Sequence, residues 1–75
     1  MQPDPSWPLT ARERQVIGLY ADGLTRPQIA KLLGVTFHTV REHTDNARAK
    51  LGASTIAHAV AICYQHNLLD RRLAA

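Results

Sequence analysis

The sequence predicts an all-α fold: a four-helix domain with a central helix-turn-helix, made by helices 2 and 3, and a C-terminal dimerisation helix. Three observations predict it. Helix-start signals recur: Thr10 stands three residues before Glu13, Thr25 three before Gln28, and Thr36 heads a third run. In the first two, the side chains suit the reciprocal hydrogen bonds of a capping box. Stops recur at Gly23, Gly34 and Gly52, where glycine readily takes the left-handed conformation that ends a helix. Between these marks, apolar residues fall three and four apart, the spacing of one helical face.

Helix 1 is expected to begin at Thr10 and stop at Gly23, with Val16, Ile17 and Tyr20 as its apolar stripe and Ala11 and Leu24 flanking it. Helix 2 is expected from about Arg26 to Leu33. Pro27 is tolerable there because it falls in the first turn, where its missing N–H has no helical partner to lose. Ile29, Ala30 and Leu33 form the inward face, leaving Arg26 and Lys31 outside. The turn Gly34–Thr36 follows, and Thr36 is placed to cap the next helix through its hydroxyl.

Helix 3 is expected from Phe37 to about Leu51. Its buried stripe is Val40, Thr44, Ala47 and Leu51, and its opposite face carries His38, Arg41, Glu42, Asp45 and Arg48. That face is polar, with side chains long enough to enter a groove. Helix 4 is expected to start near Ser54 or Thr55 and to end near Asn67. From Ile56 to Tyr64 it is apolar nearly all round, so one face needs a cover from outside the chain. The sequence reading places that face at Ile56, Ala59, Ile62 and Cys63 and assigns the cover to a second copy of the chain.

Seventy-five residues suit one domain, close to the lower size limit for a self-sufficient core. The expected organisation is a flexible lead-in over residues 1–8, the domain over 9–69 and a basic tail over 70–75. Pro3, Pro5 and Pro8 interrupt any helix in the lead-in, and Trp7 is expected to fold back on the domain. The single cysteine, Cys63, has no partner for a disulfide, which fits a reducing compartment. The longest unbroken apolar run, Ala59 to Tyr64, is far too short to cross a bilayer. A cytoplasmic protein without a membrane partner is the expectation.

Charge is unevenly placed. The chain nets +3, and between Leu24 and Gly52 lie Arg26, Lys31, Arg41, Arg48 and Lys50 against Glu42 and Asp45. Outside that stretch the two signs balance. Excess positive charge on one element points to a polyanion, most often nucleic acid. His38, His43, His58 and His66 are too scattered to bind a metal, and no nucleophile, base and orienting group assemble. No cofactor, no metal and no enzymatic activity are expected.

From Leu9 to Leu69 the chain resembles the DNA-binding domain of LuxR/GerE-type transcriptional regulators. Four segments carry the resemblance: Leu9–Val16 (LTARERQV), Gly23–Ala30 (GLTRPQIA), Val35–His43 (VTFHTVREH) and Lys50–Gly52 (KLG) before an alanine-rich helix. The resemblance implies a third helix in the DNA major groove and a two-fold dimer contact through the fourth. It implies base contacts at Arg41, Glu42 and Asp45, and His38, on the same face, is expected to contact bases as well. Phosphate contacts are implied at or near Thr36, Thr39, Arg48 and Lys50, and Thr25, Arg26 and His43 are expected to contact phosphates too. Ile56 stands where members commonly carry arginine, and Pro27 is atypical. Glu42 and Asp45 are acidic on a surface that would approach phosphates. They are expected to accept from cytosine, to hold Arg41 or Arg48, or to weaken non-specific binding.

The expected partners are double-stranded DNA with a two-fold symmetric operator, a second copy of the chain and RNA polymerase. Two rival readings share the fold. Helix 3 also resembles region 4 of bacterial sigma factors, which suits a protein-binding co-regulator of the transcription machinery. The other rival is the output domain of a longer sensor regulator.

Overall fold

Among the described residues, four helices follow the expected order in a computed structural model: α1 (Ala11–Ala21), α2 (Arg26–Leu33), α3 (Phe37–Leu51) and α4 (Ile56–Gln65). The structure describes residues 8–69. The expected lead-in up to Trp7 and the basic tail from Asp70 lie outside the described residues.

Local chemistry sets the boundaries. Thr10 Oγ1 accepts from the Glu13 N–H at 3.1 Å, and Glu13 Oε1 accepts from the Thr10 N–H at 2.9 Å. The same reciprocal pair heads α2: Gln28 Oε1 accepts from the Thr25 N–H at 2.8 Å and Thr25 Oγ1 from the Gln28 N–H at 3.4 Å. Thr36 caps α3 by accepting from the Thr39 N–H at 3.0 Å, and Thr55 caps α4 by accepting from the His58 N–H at 3.0 Å. Gly34 and Gly52 close α2 and α3 at φ 68° and 66°, a conformation that costs side-chain-bearing residues more than glycine. Helix α4 ends at Gln65, two residues before its expected end, and Asn67 takes a positive φ of 58° beyond it.

The interior divides into two apolar clusters, and α1 serves both. Val16 faces Ile29, Ala30 and Val40, and so fastens α2 and the first half of α3 to α1. Ile17, the next residue, faces Ala47, Ala59 and Cys63, and so fastens the second half of α3 and α4. Thr44 lies between the two clusters, and its hydroxyl donates to the Val40 carbonyl at 2.8 Å. This satisfies a buried polar group within its own helix.

The expected dimer face requires a correction. Ala59 and Cys63 are completely buried inside the chain, packed with Leu9, Ile17, Ala47, Leu68 and Leu69. Leu68 and Leu69, beyond α4, fold back onto the cluster and supply cover that the helix pattern alone did not anticipate. Ile56 and Ile62 are half-buried on the flanks. The outward residues of α4 are Ala57, His58, Ala61 and Gln65, with Val60 and Tyr64 at the edge.

Candidate nucleic-acid interface

Because Val40, Thr44 and Ala47 turn inward, helical geometry turns His38, Arg41, Glu42, Asp45 and Ala49 outward on α3. Side chains on this face pair along the helix in two sets. His38 Nε2 lies 3.7 Å from Glu42 Oε2, and Arg41 Nε lies 3.8 Å from Asp45 Oδ2, both at a spacing of four residues. The other Asp45 oxygen, Oδ1, accepts from the Arg48 guanidinium at 3.2 Å. Asp45 thus bridges two arginines, while Glu42 faces His38. Arg48 is more sheltered than Arg41, because its second terminal nitrogen donates to the Ser54 carbonyl at 2.8 Å and ties it to the α3–α4 turn.

The start of α2 meets this face. Arg26 lines an open cleft of about 450 Å³ together with Arg41, Thr44, Asp45, Arg48 and Ile56. Two aromatic residues set its guanidinium: Nε donates to the Tyr20 hydroxyl at 3.2 Å, and the group lies 5.2 Å from the centre of the Phe37 ring. The Tyr20 hydroxyl is also 3.5 Å from Thr44 Oγ1, so one phenol joins α1, α2 and α3. Sequence reasoning assigned Tyr20 to the apolar stripe and missed this role. The contact crosses a turn, and no spacing rule reveals it.

Backbone donors add to the surface. At the start of α3, the Thr36 cap engages the Thr39 N–H, and the Phe37 and His38 N–H groups precede any helical partner. The Thr36 and Thr39 hydroxyls lie 2.9 Å apart and share one hydrogen bond. At the start of α2 the capping box occupies the Thr25 and Gln28 N–H groups, and Pro27 has none. That end of α2 therefore offers an arginine side chain more than an amide nest. The Thr25 hydroxyl accepts the cap hydrogen bond, and its own proton remains a donor.

Two expected phosphate contacts sit on the other flank of α3. His43 is half-buried there, one turn from Thr39. Lys50 is drawn toward α1: Nζ lies 2.7 Å from Glu13 Oε1, whose side chain is only 5% exposed. Burial works to raise the Glu13 pKa. The hydrogen bonds from Lys50 and from the Thr10 N–H, with the Lys50 charge, outweigh burial and hold it below its ordinary value. The pair ties the last turn of α3 to the first turn of α1. Burial pushes the Cys63 thiol up, so it stays protonated inside the core. Among the described residues, no three His, Cys, Asp or Glu side chains converge as a metal site needs, and no helix is long and apolar enough to cross a membrane.

Two helices joined by a three-residue turn, the second with a buried stripe and an exposed polar face, define a helix-turn-helix domain. The family model for GerE, the bacterial regulatory proteins of the luxR family, matches residues 7–63, and the chain belongs to that family. Its members are DNA-binding transcription regulators, not enzymes. The chain is 40% identical over 68 residues to the transcriptional activator protein BjaR1 of Bradyrhizobium diazoefficiens, covering 91% of this chain and 28% of that protein. It is 42% identical over 69 residues to the probable transcriptional regulatory protein SgaR of Hyphomicrobium methylovorum, covering 92% of this chain and 33% of that one. The solved structure of the transcription factor GerE superposes with a TM-score of 0.79 at 31% identity, over 83% of this chain and 92% of that chain. The chain thus spans about a third or less of the length of these two curated relatives.

Proposed function

We propose that this domain reads double-stranded DNA by placing α3 in the major groove, with its start and that of α2 against the phosphate backbone. The observation that carries the reading is the exposed row His38, Arg41, Glu42 and Asp45, opposite a fully buried stripe on the same helix. Arg41 and His38 offer donors to base acceptors, Glu42 offers an acceptor to a cytosine amino group, and Asp45 holds Arg41 and Arg48 in place. Arg26, Arg48, Thr25, Thr36, Thr39 and His43 fix the register on phosphates. Two copies meet through the outward face of α4, at Ala57, Val60, Ala61 and Tyr64, and bind a two-fold symmetric operator. Its half-sites lie about ten base pairs apart, centre to centre.

Selection from a random DNA pool, followed by titration at rising salt, tests this. A palindromic consensus whose affinity falls steeply with salt is expected, since each neutralised phosphate releases condensed counterions. Absence of affinity for any DNA would favour the protein-binding reading, with RNA polymerase as the natural partner. The share of the relatives' length that the match covers supports a second reading, in which the same interface is the output domain of a longer regulator.

A further inference from the structure

The cleft between α2 and α3 holds three arginines and one carboxylate, and the pairing inside it is asymmetric. Asp45 gives one oxygen to Arg48 at 3.2 Å and the other, at 3.8 Å, to Arg41. Among the described residues, no carboxylate pairs with Arg26, on the α2 side. Its Nε is engaged by Tyr20 and its plane lies over Phe37, which leaves the donors of both terminal nitrogens for the cleft. A guanidinium set by a phenol and an aromatic ring is pre-organised for bidentate recognition of an oxyanion.

We propose that Arg26 and Arg48 together seat one DNA backbone phosphate, and that Asp45 is an internal anion which this phosphate displaces from Arg48. The inference rests on the DNA-binding reading above and deepens it. The cleft carries a net charge of about +2, so it retains an attraction for an anion even with Asp45 present. Once a phosphate takes over the Arg48 hydrogen bond, the Asp45 carboxylate is left to Arg41 alone and holds that side chain in line for base contact. Seating the backbone and aiming the reading residue thereby become one event. Tyr20 acts as a positioning residue, through Arg26.

The test is a scan of the selected operator in which each phosphate in turn is replaced by an uncharged methylphosphonate. The protein is the full chain, as wild type and as Arg26→Ala, Arg48→Ala, Tyr20→Phe and Lys31→Ala, each checked for wild-type helicity. In the wild type, one phosphate per half-site is expected to weaken binding roughly tenfold when neutralised, as for a hydrogen bond between charged groups. That penalty should nearly vanish in both Arg26→Ala and Arg48→Ala, shrink in Tyr20→Phe and persist in Lys31→Ala. Equal penalties in wild type and Arg26→Ala would overturn the proposal, as would coupling of the two arginines to different phosphates. Either result leaves DNA binding intact, so it is distinct from failure to bind any DNA, which would remove the functional reading as well.

Discussion

Lys50 Nζ, in the last turn of α3, lies 2.7 Å from Glu13 Oε1, in the first turn of α1. The same oxygen accepts from the Thr10 N–H, so a single atom joins a helix cap to a tertiary ion pair. Lys50→Met would leave a nearly buried carboxylate without its cation. A loss of about 1–3 kcal/mol is expected, as for a hydrogen bond to a charged group. Thermal denaturation at neutral pH should show it as a Tm lowered by several degrees. Unchanged stability would mean that water replaces the lysine at no cost.

The same pair predicts a pH dependence. The Glu13 pKa is lower in the folded chain than its ordinary value, so its contribution is fully present above the unfolded-state value, about 4.3. It is lost as pH falls through the folded value. Melting curves of wild type and Glu13→Gln should therefore converge as pH drops below the carboxylate range. A gap that stays constant down to the acid limit would show that Glu13 acts through packing alone.

Caps and stops were legible in the sequence because they depend on residues within four positions of each other. Thr10, Thr25 and Thr36 each cap the helix expected of them, and Gly34 and Gly52 take the expected left-handed conformation. The buried stripe Val40, Thr44 and Ala47 was legible for the same reason, and it fixes which face of α3 is outward. Contacts between distant residues were not. Glu13 and Lys50 are 37 positions apart, and nothing in either neighbourhood marks the pair. The inward face of α4 was misread because a nearly all-apolar helix does not show which side its neighbours cover. Leu68 and Leu69, past its end, decide that.

Thr36→Ala removes the cap of the proposed reading helix. A loss of about 1 kcal/mol in unfolding free energy is expected, as for other threonine caps. DNA affinity should fall by more than stability accounts for, since the Thr36 and Thr39 hydroxyls are linked at the same helix end. Denaturant titration beside operator binding separates the two effects. An affinity loss no larger than the stability change accounts for would confine Thr36 to capping.

Arg41→Ala should weaken operator binding, whereas Asp45→Asn should strengthen binding to random DNA. Removing Arg41 is expected to cost about 1–3 kcal/mol of specific binding and to relax preference at one base position. Asp45→Asn releases two arginines from one carboxylate, so random DNA should bind more tightly while the specificity ratio narrows. Paired measurements on operator and scrambled duplex check both. If Asp45→Asn loses operator preference at constant random-DNA affinity, the carboxylate reads cytosine directly instead.

The face of α4 is tested by two alanines two residues apart. Ala59 has no exposed surface and touches the cluster around Ile17 and Cys63, whereas Ala61 is exposed. Ala59→Glu would force a carboxylate into an apolar interior with no cation designed for it, a cost of several kcal/mol in a small domain. It should lose helical circular dichroism at room temperature. Ala61→Glu leaves that interior untouched and is expected to keep the wild-type spectrum. If two copies meet through Ala57, Val60, Ala61 and Tyr64, symmetry places the new charge opposite itself or close by, and the pair should dissociate. Analytical ultracentrifugation should then find wild type as a dimer on operator DNA and Ala61→Glu as single copies on isolated half-sites. Intact dimerisation of Ala61→Glu would move the contact off this face of α4 altogether.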